Sequence, residues 1–301
     1  NLKKNHSVSS EKLKLVHAYI HTDANWPINR LTQRKILQLP DDVIIVWGCG
    51  TLYWRKGPDL FIQTAKKLKD LGYKNFIFYW IGDNNWHHDS NHLGKWKDWE
   101  EFISHNDLQN RVKFMGEKQR PKDFFSAGDL FYLPSREDPY PLVCLEAAEC
   151  GLPIVCFDKA GGMPDFVRQD AGDVVKYLDA FEAAKSIGTF ISNEKYRIEA
   201  GKIARNRVLK NHSDQVAVPE ILNNMRLATN IKPSVSIIVL IYNQERFVKK
   251  RIESIINQSF RDFEIIILDD ASTDNSYQIA KSYEWHPSIK VCKNDQNTGS
   301  P

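Results

Sequence analysis

Cysteine is scarce: five residues in 301, namely Cys49, Cys144, Cys150, Cys156 and Cys292. The count is odd and no pair has C-x-x-C spacing. That argues against a disulfide framework or a cysteine zinc site, and for reduced thiols in a cytoplasmic protein. Long apolar runs are missing too. Runs such as 43–47 and 237–241 are far too short to span a bilayer, and no signal-peptide core comes after Asn1. A net charge of +3 is too small to argue for nucleic-acid binding. There is no tandem repeat and no low-complexity tract. Both termini, Asn1 and the stretch from Asn297 to Pro301, read as cuts in a longer polypeptide. What remains is ordinary globular composition, 42% hydrophobic and 26% charged, with length for about two domains.

Short apolar runs alternate with helical patterns, the signature of an α/β fold with a parallel sheet. Residues 43–47 read as a buried strand, and Gly48, Gly50 and Gly57 punctuate the turn after it. Pro58 suits the first turn of a helix, with Asp59 beside it. Leu60, Phe61, Ala65, Leu68 and Leu71 supply that helix's apolar face. Residues 76–81, 112–115, 129–133 and 153–157 read as further strands. Residues 142–150 form a helix stopped by Gly151 and Pro153. From 178 to 227 the pattern is helical, with Pro219 marking a break or kink. After a linker-like 231–234 the pattern restarts as βαβαβ: strand 235–241, helix 245–258, strand 263–268, helix 272–284, strand 289–292. These readings divide the chain into a linker-like stretch (1–40), an α/β domain (41–230) and a partial second domain (231–301).

Two constellations carry chemistry. Between the strand at 43–47 and the helix opened by Pro58 stand Gly50, Arg55, Lys56 and Gly57. Glycines let the backbone approach a ligand, a helix start offers free N–H groups, and two cations add formal charge, which suits a diphosphate. A plain turn with a solvated basic pair is the competing reading. The second phrase runs from Leu133 to Ala148. It places Asp138 in a loop and Glu146 eight residues later, in the first turns of a helix. N–H groups at that helix start, at Leu142 and Val143, can hold anionic oxygens, and a carboxylate one turn in can accept paired hydrogen bonds from a ribose diol.

Residues 40–228 resemble the C-terminal domain of the family 4 glycosyltransferases of GT-B fold, a Rossmann-like parallel sheet. The phrase 134–147 corresponds to that family's E-x7-E region, and 151–155 with 161–165 match the segments that come after that region in the family. The resemblance implies a retaining, metal-independent transfer of sugar from a nucleotide diphosphate to a glycan or lipid-linked acceptor. It places Glu146 on the ribose, Asp138 at the donor sugar and Lys56 on the phosphates. By the same resemblance Pro141, Leu142, Val143, Gly161 and Gly162 are expected to line the donor. Two positions depart from the family. Asp138 is one methylene shorter than the usual Glu, so Glu137 can contribute, and the family's arginine falls on Thr51, leaving its role to Arg55. No cofactor is implied for this domain. A peripheral membrane contact fits relatives that act on lipid-linked acceptors. Two other readings compete: an epimerase of nucleotide sugars with the same fold, and a non-catalytic sugar-nucleotide-binding module.

The stretches 235–245 and 263–275 resemble the opening of the family 2 glycosyltransferases of GT-A fold. The resemblance places a nucleotide half-site at Tyr242, Asp269 and Asp270, with Asp274 nearby, and implies a divalent metal in the complete domain on ligands outside this chain. This fragment alone is expected to be inactive. Strand 235–241 is expected to present an apolar edge that pairs with another chain or is covered, which makes self-association an expectation. Trp86, His87, His88 and His92 read as a surface loop rather than a metal site. The basic helix 195–210 reads as a solvated face.

Overall fold

The computed structural model describes residues 16–23, 28–82, 90–229, 233–297 and 299. The histidine-bearing stretch 86–88 and the side chain of His92 lie outside the described residues. The chain forms two compact units, one of residues Asp23–Leu209, the other joining the segment up to Thr22 with Lys210 onward.

In the first unit six parallel strands, β1 (Ile44–Cys49), β2 (Phe76–Ile81), β3 (Val112–Phe114), β4 (Leu130–Leu133), β5 (Ile154–Phe157) and β6 (Gly172–Val175), lie in the order β3-β2-β1-β4-β5-β6. Each pairing is parallel. β4 and β5 are buried along their whole length, as expected for a sheet covered on both faces. The helices of this unit are α1 (Arg30–Ile36), α2 (Pro58–Asp70), α3 (Ser90–His105), α4 (Pro121–Phe125), α5 (Leu142–Glu149), α6 (Met163–Val167), α7 (Ala180–Ser192) and α8 (Glu194–Asn211). Phe61 of α2 packs against Phe78, Trp80 and Tyr132 of the sheet, with ring centroids 4.9, 5.1 and 6.0 Å apart. Gly48 lies inside β1 rather than in the turn after it: a Cβ there would come within 2.7 Å of the Phe61 ring.

The stretch read as linker contains α1, and its Arg34 is fully buried. The guanidinium donates to the carbonyls of Ala127, Pro40, Asp41 and Val43 and pairs with buried Asp129. A buried cation needs this density of acceptors. Here they tie α1 to the chain entering β1 and β4.

The second unit holds α9 (Asp214–Thr229), β7 (Val235–Ile241), α10 (Glu245–Ile256), β8 (Phe263–Asp269), α11 (Ser276–Lys281) and β9 (Ile289–Lys293). Its three parallel strands lie in the order β7-β8-β9, so β7 is an edge strand. Val239, Ile241, Ile265, Ile267 and Val291 pack against Val248, Ile252 and Ala280 of the helices. The helical reading of 178–227 resolves into α7, α8 and α9. The chain breaks at Asn193 and at 212–213, while Pro219 sits inside α9. Ile20 bridges to Ser213 through its N–H to His212 and its carbonyl to Asp214, both 2.9 Å. The last sequence-read helix is shorter than expected at both ends: it spans Ser276–Lys281, and just before it the Asp274 carboxylate accepts from the Ser276 N–H at 2.9 Å in a turn.

Candidate functional site

Sheet order locates the site. β1 has β2 on one side and β4 on the other, so the connections leaving β1 and β4 diverge. Such a switch point opens a crevice at the carboxyl ends of the strands. The loops after β1, β4 and β5 meet there. The Arg55 carbonyl accepts from the Arg136 N–H at 2.8 Å. Asp138 donates its N–H to the Ala160 carbonyl at 2.7 Å and forms an isolated parallel bridge with Gly161.

Two glycines make this convergence sterically feasible. Gly57 has φ +71°, and a Cβ there would lie 2.0 Å from the Pro134 carbonyl oxygen. Gly161 has φ +155°, and its Cβ would lie 1.7 Å from the Asp138 carbonyl oxygen. Only glycine permits both the backbone conformation and the contact.

Charge is concentrated in the crevice. Lys56 Nζ lies 2.5 Å from Asp138 Oδ2, and Arg55 lies 4.0 Å from the other carboxylate oxygen. Arg55 also donates to the Glu137 carbonyl at 2.7 Å. The Lys56 stem packs over Gly50, where a Cβ would meet it at 3.3 Å. Asp138 is buried, and the Ser135 hydroxyl lies 3.5 Å from its Oδ2. The anion and cation that the sequence reading assigned to separate parts of a ligand are therefore partners of each other.

Glu146 lies on the second turn of α5, half-buried, with no hydrogen-bond partner for its carboxylate among the described residues. Burial raises its pKa; Lys122 opposes this and Glu149 adds to it. Cys49, at the end of β1, feels the charges of both Glu146 and Lys56. Its thiol is pushed up to about 12 by burial and then by Glu146, while Lys56 pulls it down. α5 begins after Pro141 with no side-chain cap, so the N–H groups of Leu142 and Val143 are available at the crevice. Gly162 donates to the Pro139 carbonyl at 2.8 Å and closes the loop opposite. The described elements thus bring together Gly50, Arg55, Lys56, Glu137, Asp138, Pro141, Leu142, Val143, Glu146, Gly161 and Gly162.

Sequence reasoning missed Arg136. Its guanidinium forms a two-pronged pair with Asp59, at 2.8 and 2.7 Å, and donates to the Trp54 carbonyl at 2.9 Å. It also covers the Trp54 ring at 4.8 Å. Arg136 therefore fixes the loop that carries Arg55 and Lys56. No local signal betrays the role, because every one of these partners lies in the distant segment around Trp54 and Asp59.

In the second unit Tyr242 is 46% exposed at the end of β7. Asp269 is buried; its Oδ1 accepts from the Ser272 N–H at 3.0 Å and lies 4.0 Å from Lys293. Asp270 gives its N–H to the Ile241 carbonyl, and its carboxylate accepts from Asn294 at 2.8 Å. The three residues stand at adjacent strand ends. The five cysteines are free thiols, and no described helix is long and apolar enough to cross a membrane.

Residues 29–207 match the family Glycosyl transferases group 1, and residues 236–300 match Glycosyl transferase family 2. The O-antigen biosynthesis glycosyltransferase WclY of Escherichia coli is 32% identical over 146 residues, covering 48% of this chain and 37% of WclY. The C-terminal domain of a group 1 family protein (LpcC) from Francisella tularensis has the same fold. Its TM-score is 0.57 at 21% identity, over 65% of this chain and 99% of that one. HepE of Anabaena, solved in complex with UDP, gives a TM-score of 0.59 at 20% identity, over 72% and 56% of the two chains. The chain spans 25% to 42% of the length of curated relatives it matches. It belongs to the group 1 glycosyl transferases, with a family 2 glycosyl transferase segment joined after that domain.

Proposed function

We propose that residues 41–230 bind a nucleoside diphosphate sugar in the crevice between β1 and β4. The parent protein would then transfer that sugar to a glycan or lipid-linked acceptor, with retention and without a metal in this domain. The observation that carries the reading is a crevice that holds an ammonium, Lys56, anchored on Asp138, together with a half-buried carboxylate, Glu146, that has no hydrogen-bond partner among the described residues. A ribose diol satisfies the carboxylate and a diphosphate the ammonium. Leu142 and Val143 supply N–H groups and the positive end of α5. Arg55 adds a second cation at the leaving diphosphate, where negative charge grows as the glycosidic bond breaks. Asp138 holds Lys56 in position and lies within reach of the donor sugar through its loop. HepE, which shares the fold, was solved with UDP, and WclY is named for O-antigen biosynthesis; both support this class of donor and product. In the second unit, residues 231–301, we assign a nucleotide half-site to Tyr242, Asp269 and Asp270. A divalent metal would belong to the complete domain.

Calorimetric titration of UDP and other nucleoside diphosphates, with and without EDTA, tests the reading. A charge-assisted hydrogen bond is worth about 1.5–3 kcal/mol, so Glu146→Ala should weaken binding roughly 10–150-fold. Lys56→Ala should weaken diphosphates far more than the bare nucleoside, and Tyr242→Ala should change neither. Full affinity in the Lys56→Ala, Glu146→Ala double variant, or loss of binding in EDTA, would overturn it.

A further inference from the structure

A second charged cavity lies at the opposite end of the same sheet, where the chain enters β4 and β5. It has a volume of about 510 Å³, and its lining includes Arg30, Asp129, Glu194, Arg197 and Lys202. The charges there do not balance. Asp129 is the buried anion, and its carboxylate already serves three donors: Arg34, Arg30 and the Ile45 N–H. Arg34 is internally satisfied by carbonyls and needs no further partner. Arg30 therefore shares a carboxylate that is already engaged, and its side chain stays 40% exposed at the cavity.

Arg197 comes from the first turn of α8. Its side chain is only 7% exposed, it donates to the Phe190 carbonyl, and its nearest carboxylate, Glu194, is 3.9 Å away and largely in solvent. Lys202, further along the same helix, adds another cation whose partner Glu199 is 3.8 Å away on the open surface. Among the described lining residues and Arg34 behind them, Arg30, Arg34, Arg197, Lys202 and Arg205 face the carboxylates of Asp129 and Glu194, an excess of three positive charges. Burial, and after it the proximity of Arg197, lowers the pKa of Arg30, and burial likewise lowers that of Arg197. Like charges held together in a concave, partly desolvated place are destabilising unless an anion neutralises them.

We propose that this cavity is a second anion site, separate from the donor crevice, that takes a small molecule bearing a phosphate monoester. A net excess of cations favours a multiply charged anion, and guanidinium groups match phosphate oxygens in geometry. The volume exceeds a bare phosphate and falls in the range of small-metabolite pockets. Arg30 and Arg197 hold the phosphate group from two elements, α1 and α8, and Lys202 closes the rim. The site joins the start of α1 to α8, so occupancy stiffens the chain entering this domain.

Titration calorimetry with inorganic phosphate and with glucose 6-phosphate, each against chloride of matched ionic strength, tests the assignment. Saturable binding is expected, retained in Lys56→Ala and weakened about 10-fold or more in Arg30→Gln. Lys202→Gln, on an exposed position that leaves the core intact, should weaken it several-fold and guards against a folding defect in the first variant. Tighter binding of the sugar phosphate assigns the site to a phosphorylated metabolite, and equal affinities assign it to free phosphate. No saturable binding above the chloride control would overturn the proposal. So would binding that Lys56→Ala abolishes and that Arg30→Gln and Lys202→Gln leave unchanged.

Discussion

His286 donates a hydrogen bond of 3.0 Å from Nε2 to the carbonyl of Gln215. That carbonyl is the acceptor that Pro219, four residues further along α9, leaves open because it has no N–H. A proline in a helix interior ordinarily costs about 3 kcal/mol, part of it for the orphaned carbonyl. Here a side chain from beyond α11 supplies the missing donor. The other ring nitrogen, Nδ1, accepts from the Ser288 N–H at 3.3 Å, which selects the neutral tautomer.

This pairing makes two substitutions interdependent. His286→Phe keeps an aromatic ring but strands the Gln215 carbonyl, at an expected cost of about 1–3 kcal/mol. Pro219→Ala restores an N–H to the same acceptor. It should therefore stabilise the His286→Phe background more than the wild type, by roughly 1 kcal/mol of coupling. Urea unfolding of the four proteins completes the cycle, and strict additivity would show that the contact carries no energy.

His286 also couples the second unit to pH. Burial first, and Arg261 in addition, lower its pKa from 6.5 to about 4 against the opposing hydrogen bond to Gln215. The folded state thus resists protonation that the unfolded state accepts. Its stabilising contribution is complete above pH 6.5 and is lost as pH falls from 6.5 through 4. The shift corresponds to roughly 3 kcal/mol in total. Urea midpoints at about pH 7.5, 5.5 and 4.5, which bracket that window, should fall more steeply for the wild type than for His286→Phe, which has no such group to titrate. Parallel slopes would refute the linkage.

In the donor crevice, Asp138→Asn tests whether Asp138 serves Lys56. The pair is mostly buried, with side chains 19% exposed for Lys56 and 8% for Asp138. Removing the carboxylate charge should cost about 1–3 kcal/mol in the absence of nucleotide. Added UDP, which offers Lys56 a replacement anion, should then raise the melting temperature more in the variant than in the wild type. A group that touched only the donor sugar would leave the UDP response unchanged.

The sheet of the second unit leaves apolar surface open on its edge strand. Ile238 is 61% and Leu240 52% exposed on β7, which pairs with β8 alone among the described strands. Parallel sheets ordinarily bury both faces, and bare edges recruit partners. Sedimentation equilibrium should show mass rising with concentration for this chain and a monomer for I238K combined with L240K. A wild-type monomer at all concentrations would end this expectation.

The alternation of apolar runs with helical patterns determined the parallel α/β class, and every strand lies close to where its run placed it except β6 (Gly172–Val175), a short run that the sequence reading did not pick out. Gly57, Pro58, Asp138, Glu146 and Gly161 were legible because turn geometry and a local phrase of residues announce them. Strand order was not local information. Only the placement of β4 beside β1 brings Asp138 to Lys56, and only the docking of the loop after β4 onto that after β1 makes Arg136 their clamp. The same holds for Arg34, whose neighbours arrive from Ala127 and Asp129, and for Gln215, whose missing donor comes from His286. Periodicity reports which face of an element is buried. It does not report which distant charge or carbonyl will meet that face, and those meetings decided how the crevice, the basic cavity and the proline-containing helix are held.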